Sequence, residues 1–159
     1  MSFEEQVEIM RQGGKKLVEI FKKLKEKVRV GVKASELNNL AEKLIFEVGA
    51  KPAFKNYQPE FAKYPYPYAL CVSINEVIVH GFATDDLVIK NGDIVKLDLG
   101  IGFKGYYTDA AITVGAGNIS DENKKLISAV KKSLKNAIKI AKAGNTFGDI
   151  GWAIESTIL

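Results

Sequence analysis

Residues 3 to 28 repeat a pattern. Phe3, Val7, Met10, Gly14, Leu17, Phe21, Leu24 and Val28 recur at gaps of four and three. That spacing puts them on one face of an α-helix. The opposite face carries Lys15, Lys16, Lys22, Lys23, Lys25 and Lys27, which reads as a solvated helix face or, alternatively, as an RNA-binding stripe. Gly31 breaks this helix. Ser35 is placed to cap a second helix running to about Val48, with Gly49 as its stop. Residues 50 to 68 hold all four prolines and Phe54, Tyr57, Phe61, Tyr64, Tyr66 and Tyr68. Pro59, Pro65 and Pro67 exclude a helix there. The stretch reads either as a loop packed by its own rings or as the wall of an apolar pocket.

Short apolar runs follow. Leu70–Ile74 and residues 77–79 flank the turn-like pair Asn75-Glu76 and predict two strands. Residues 94–101 and 106–114 predict a hairpin around Gly102-Phe103-Lys104-Gly105. A third helix is predicted after a cap at Ser120 or Asp121, with Leu126, Ile127, Val130, Leu134, Ala137, Ile138 and Ala141 on one face. It stops at Gly144, and a fourth helix begins near Thr146. A shift of 113 lays Gly144 on Gly31, Asp149 on Glu36, Ile150 on Leu37 and Glu155 on Glu42. The match predicts one helix–helix–strands unit over 1–115 and the start of a second over 116–159. The chain ends at Leu159 inside a helical pattern, without Gly, Pro or a basic stop, so an interrupted sequence is expected.

Composition narrows the chemistry. With 159 residues, 47% apolar and 26% charged, the chain is globular and not disordered. No apolar run approaches the ~20 residues of a membrane span, and the start MSFEEQVEIM has acids where an export signal needs base. The single cysteine, Cys71, excludes an internal disulfide framework and a Cys-based zinc site. With one histidine, His80, any metal site must lean on carboxylates. A net charge of +4 allows contact with RNA-rich surfaces without requiring it.

Asp98 and Asp109 supply the candidate carboxylates. If the hairpin closes symmetrically around Phe103 and Lys104, they lie directly opposite each other on one face, with Cβ atoms about 5 Å apart. Carboxylates that close repel, so one stays protonated unless a cation lies between them. A pair of surface aspartates in another register is the alternative. His80 ends the apolar run 77–79 and, taken alone, reads as a half-buried structural histidine before a catalytic one.

The stretch Cys71-Val72-Ser73-Ile74-Asn75-Glu76-Val77-Ile78-Val79-His80-Gly81 resembles the signature of methionine aminopeptidases. So do Asn91-Gly92-Asp93-Ile94-Val95-Lys96-Leu97-Asp98-Leu99-Gly100 and Gly105-Tyr106-Tyr107-Thr108-Asp109. The resemblance is to the bacterial, type I branch and covers residues 3 to 159. It implies an α/β (α+β) pita-bread fold, two similar halves around a central sheet, of which this chain holds the first half and the opening helices of the second.

It also implies roles for individual residues. Asp98 chelates one metal ion through both oxygens and Asp109 bridges two. His80 contacts the substrate amide and helps to stabilise the reaction intermediate. Tyr66 and Cys71 line the pocket for the methionine side chain. The family site has five protein ligands, and its histidine and two glutamates come from the second half, beyond Leu159. The implied cofactors are two divalent ions, Mn, Fe, Co or Zn. The implied activity is cytoplasmic removal of N-terminal methionine, with nascent polypeptide N-termini as partners.

Further expectations are a chain inactive alone, contact with the ribosome surface, no membrane, no specific nucleic acid, and self-association through an uncovered half-interface. Three rival readings stand beside this one: an Xaa-Pro aminopeptidase, a non-catalytic pita-bread binding module, and an RNA-binding α/β domain. Asn75-Glu76-Val77 ahead of His80-Gly81 argues against the first, and the aspartate pair against the others.

Overall fold

Ser2 and Glu5 cap each other: Glu5 N donates to Ser2 Oγ at 3.2 Å and Ser2 N donates to Glu5 Oε2 at 2.7 Å. In the computed structural model, which describes residues 1–159, this reciprocal cap opens α1 (Phe3–Lys27). Its buried face is Gly13, Leu17, Ile20, Phe21 and Leu24. Phe3 and Met10, predicted on that face, are exposed, and of the residues before Gly13 it is Ile9 that packs against the core. Gly13 and not Gly14 meets the sheet: a Cβ there would lie 3.2 Å from Thr108 Oγ1. Lys16 also departs from the solvated face. Its ammonium donates to Val48 O at 2.9 Å and lies 4.8 Å from the Phe103 ring centre.

The second helix, α2 (Ala34–Glu47), starts before the expected Ser35 cap. Ala34 N and Ser35 N donate to the loop carbonyls of Leu87 and Thr84, so the first-turn donors are already satisfied. Ser35 instead donates its hydroxyl to Asp85 at 2.6 Å. Gly49, with φ of 70°, ends the helix as expected.

Four strands follow: β1 (Lys51–Pro52), β2 (Leu70–Ile74), β3 (Ile94–Phe103) and β4 (Tyr106–Gly115). All three others pair antiparallel with β3. Residues 77–79 are not a strand. Val77 N closes a turn onto Ile74 O, Asn75 adopts φ of 51°, and the three apolar side chains are exposed. Asn75 supplies the pairing these residues lack, because its Oδ1 accepts from Ile94 N at 2.9 Å. The hairpin turn is Lys104-Gly105, with φ of 49° and 86°, and Phe103 pairs with Tyr106. A two-residue turn with both φ positive favours glycine second, so the centre lies one residue later than the symmetric closure predicted.

Asn38 ties α2 to β2. Its Oδ1 accepts from Ala69 N at 2.9 Å and Leu70 N at 3.2 Å, while its Nδ2 donates to Glu42 at 3.0 Å. These strand donors are buried and have no water to replace the amide.

Residues Ile119–Leu159 form a second compact unit, distinct from Met1–Asn118. Ser120 Oγ accepts from Asn123 N at 3.1 Å and caps α3 (Asp121–Ile140). The helix ends before the expected Gly144, where Asn145 Nδ2 donates to Ile140 O at 2.7 Å. Thr146 and Asp149 then cap α4 (Phe147–Ile158) reciprocally. Asn136 Nδ2 donates to Thr157 Oγ1 at 2.9 Å, joining the two helices. Gly31 and Gly144, which the 113-residue shift superposes, both turn at left-handed φ, 89° and 93°.

Replacing Asn38 by Leu strands two buried N–H groups. We expect a loss of about 2–4 kcal/mol in unfolding free energy, the cost of two orphaned donors, read by urea denaturation. A loss below about 0.5 kcal/mol, within the range of an ordinary surface change, would contradict this account of the α2–β2 junction.

Candidate active site

β3 alternates. Val95, Leu97, Leu99 and Ile101 are 0% exposed and join the core built with α1 and α2. Lys96, Asp98 and Gly100 therefore point to the other face of the sheet. Across that face Asp98 sits between Cys71 on β2 and Ala111 on β4, and Asp109 is opposite Gly100. Asp98 and Asp109 are thus not directly opposed, as predicted, but offset by one row. The offset of two residues preserves the face, so the two carboxyl groups are neighbours on it.

The electrostatics follow from this crowding. Burial raises the Asp98 carboxyl above its ordinary value, the neighbouring Asp109 raises it further, and the charge of His80 opposes the shift. Burial also pushes the Cys71 thiol up, with Asp98 and Asp109 adding to the effect, although the adjacent Tyr66 phenol pulls it down. Burial raises the Tyr66 phenol in turn. Asp98, Asp109, His80, Cys71 and Tyr66 therefore form one electrostatic neighbourhood. His80 itself is exposed, not half-buried, and adopts φ of 57°.

The aromatic stretch divides. Tyr57, Phe61 and Tyr64 are exposed, whereas Tyr66 and Tyr68 turn inward and pack edge-on at 5.9 Å between ring centres. Phe82 completes the cluster at 5.4 Å from Tyr66 and 5.8 Å from Tyr68. Phe54 covers Gly100 so closely that a Cβ there would lie 2.8 Å from its ring. The sequence placed Phe54 only within the aromatic stretch as a whole and gave no place to Phe82. The glycine at an otherwise branched β3 position was the available signal for Phe54. Phe82, directly after His80-Gly81, carried none.

Two carboxyl groups on one face, one of them half-buried and resisting ionisation because of burial and its neighbour, form a donor pair that a divalent cation would relieve. No group of three or more His, Cys, Asp or Glu side chains has metal-binding geometry in the chain. Asp98 and Asp109, two hard oxygen donors on one face, fit a divalent ion as part of a ligand set.

The sequence profile of metallopeptidase family M24 matches residues 8–159. A methionine aminopeptidase of Aquifex aeolicus is 43% identical over 152 residues, covering 96% of this chain and 59% of the relative. One from Clostridium perfringens is 39% identical over 155 residues, covering 98% of this chain and 59% of the relative. The crystal structure of a methionine aminopeptidase from Thermotoga maritima superposes with a TM-score of 0.92 at 33% identity, over 98% of this chain and 60% of that one. An X-Pro aminopeptidase from the same organism gives 0.78 at 25% identity, over 99% and 41%. The backbone is thus that of the pita-bread metallopeptidases. The chain spans about three-fifths of the length of the curated relatives it matches.

Asp98 also makes a stability prediction. A carboxyl whose folded pKa is raised supports the fold below its ordinary value of 3.8 and loses that support as pH rises through the raised pKa. In EDTA at pH 7, Asp98→Asn should therefore raise the Tm and flatten its decline with pH above about 4, near the ordinary Asp value. A lower Tm for the variant at pH 7 would contradict the crowding described.

Proposed function

The chain belongs to metallopeptidase family M24, and from that premise we propose that the protein removes N-terminal methionine from nascent polypeptides by divalent-metal-dependent hydrolysis. The observation that carries this reading is the Asp98–Asp109 pair, brought to one sheet face by the β3–β4 register, with Asp98 directly opposite Cys71 on β2. Relatives named methionine aminopeptidase, at 36–43% identity among the more similar ones, favour this substrate over Xaa-Pro peptides. The X-Pro aminopeptidase and prolidase neighbours reach 25% or less.

Each residue has a role in this proposal. Asp98 and Asp109 hold the ions, with further ligands from a second half-repeat that begins within residues 116–159, the first being 1–115. Bound divalent ions would supply a water acidified enough to react near neutral pH and a positive centre for the developing oxyanion. An oxygen-rich set with one histidine suits Mn, Fe, Co or Zn. His80 donates to the substrate amide and orients the scissile carbonyl. The Tyr66, Tyr68 and Phe82 rings with the Cys71 thiol offer a wall that suits a thioether, since sulfur packs favourably at aromatic edges.

The same reading extends to surroundings. No helix is long and apolar enough to cross a membrane, and we place the activity in the cytoplasm. The lysines of α1 support work near the ribosome surface. Leu126, Val130, Leu134 and Ile138, exposed along α3, support self-association.

Peptide assays test the proposal. The full-length protein with Mn²⁺, Co²⁺ or Fe²⁺ should release methionine from Met-Ala-Ser and leave Ala-Pro-Ala intact. Asp98→Asn and Asp109→Asn should each lower kcat/KM on the order of 10³-fold, the several kcal/mol a catalytic metal contributes. Residues 1–159 alone, with two carboxylate ligands, should show no turnover. Cleavage of Ala-Pro-Ala in preference, or full activity of Asp98→Asn, would overturn the assignment.

A further inference from the structure

His80 lies at the end of a segment that the core does not hold. Val77, Ile78 and Val79 precede it with their side chains exposed, Ile78 at 78%. Its own backbone takes φ of 57°, a left-handed conformation uncommon for a residue with a Cβ. Such a conformation persists only where the surroundings impose it.

The constraint comes from the next residue. Gly81 O accepts two hydrogen bonds, from Val72 N at 3.0 Å and from Tyr66 Oη at 2.9 Å. Gly81 N donates to Ser73 Oγ at 3.0 Å. The approach is so close that a Cβ on Gly81 would overlap Val72 O and lie 2.9 Å from Ser73 Oγ, so only glycine fits. At the other end of the segment Asn75 is held by Asp93 at 2.9 Å and by Lys96, whose ammonium donates to Asn75 O at 2.6 Å. The five residues between Asn75 and Gly81 are all exposed, so the segment would be loose with either end free.

We propose that Tyr66 and Ser73 are positioning residues for His80: through Gly81 their hydroxyls clamp the 75–81 segment to β2 and hold the imidazole beside Asp98. Tyr66 thereby has a task besides lining the pocket, carried by its hydroxyl and not by its ring. Its ring still packs on Tyr68 and Phe82 without the oxygen, so Tyr66→Phe isolates the clamp. Ser73 is buried and accepts from the Gly81 N–H, whereas Tyr66 donates to the Gly81 carbonyl. The consequence for turnover rests on the proposed role of His80 in peptide hydrolysis, whereas the clamp itself does not.

The single histidine makes the test direct. With ¹⁵N-histidine labelling, His80 is the only backbone amide observed. Its order parameter in the intact protein should be near the rigid value of about 0.85 and fall below about 0.6 in Tyr66→Phe and Ser73→Ala. Ser73→Thr, which keeps the hydroxyl, should restore it, and Tyr64→Phe, an exposed neighbour, should leave it unchanged. Tm values near that of the wild type exclude general loosening. In the full-length enzyme the two clamp variants should lower kcat about 10- to 100-fold, the cost of a misplaced catalytic group, with a smaller change in KM. An unchanged His80 order parameter in both variants overturns the clamp. A lowered order parameter with unchanged hydrolysis keeps the clamp and overturns the role of His80 in the reaction.

Discussion

The alternation of β3 is the constraint on which the rest depends. Val95, Leu97, Leu99 and Ile101 are fully buried against the helices, each contributing about 1.5–3 kcal/mol. A slip of one residue would expose all four and bury Lys96 and Asp98 without partners, which costs several kcal/mol more. The strand therefore has one register, and that register delivers Asp98 to the face away from the helices. β4 inherits its placement from the Lys104-Gly105 turn, so Asp109 arrives on the same face by geometry alone.

What that face holds is an unfavourable group kept in place by favourable ones. Asp98 resists ionisation because it is half-buried and beside Asp109. Nothing in the chain pairs either carboxylate with a Lys or Arg: the recorded ion pairs lie elsewhere. Lys96, two residues from Asp98 on the same face, spends its ammonium on the Asn75 carbonyl instead. The core packing of α1, α2 and the sheet offsets the local cost. A site that sacrifices stability for unneutralised oxygens is the kind that accepts a cation.

Much of this was legible in the sequence. Helical spacing located α1 to α3, and the Gly144–Thr146 stop-and-start with the 113-residue shift located α4; α1 and α2 bury their stripe, whereas Leu126, Val130, Leu134 and Ile138 of α3 leave theirs exposed. The two aspartates were readable because each lies in one strand of the hairpin, where antiparallel closure over a two-residue turn puts an even and an odd position on one face. Register was not, since the symmetric closure ignored the demand for glycine at the second turn residue. Residues 77–79 read as a strand because the run is β-branched and apolar, yet Asn75 takes over the ladder by a side-chain hydrogen bond that no propensity encodes. Ser35 looked like a cap, but tertiary carbonyls from Leu87 and Thr84 satisfied the helix start first. The Gly81 contacts with Tyr66 and Ser73 link residues distant in sequence and have no local signature.

The central claim is that Asp98 and Asp109 together bind a divalent ion beside His80. Paramagnetic broadening by Mn²⁺ falls with the sixth power of distance, so the ring signals of the single histidine report it most directly. Titration with Mn²⁺ should broaden the His80 ring resonances ahead of the signals of Tyr57 and Tyr64, exposed in the aromatic stretch, with the effect lost in Asp98→Asn and Asp109→Asn. Broadening of His80 that survives both substitutions, or none at Mn²⁺ concentrations that broaden the exposed tyrosines, would contradict the account.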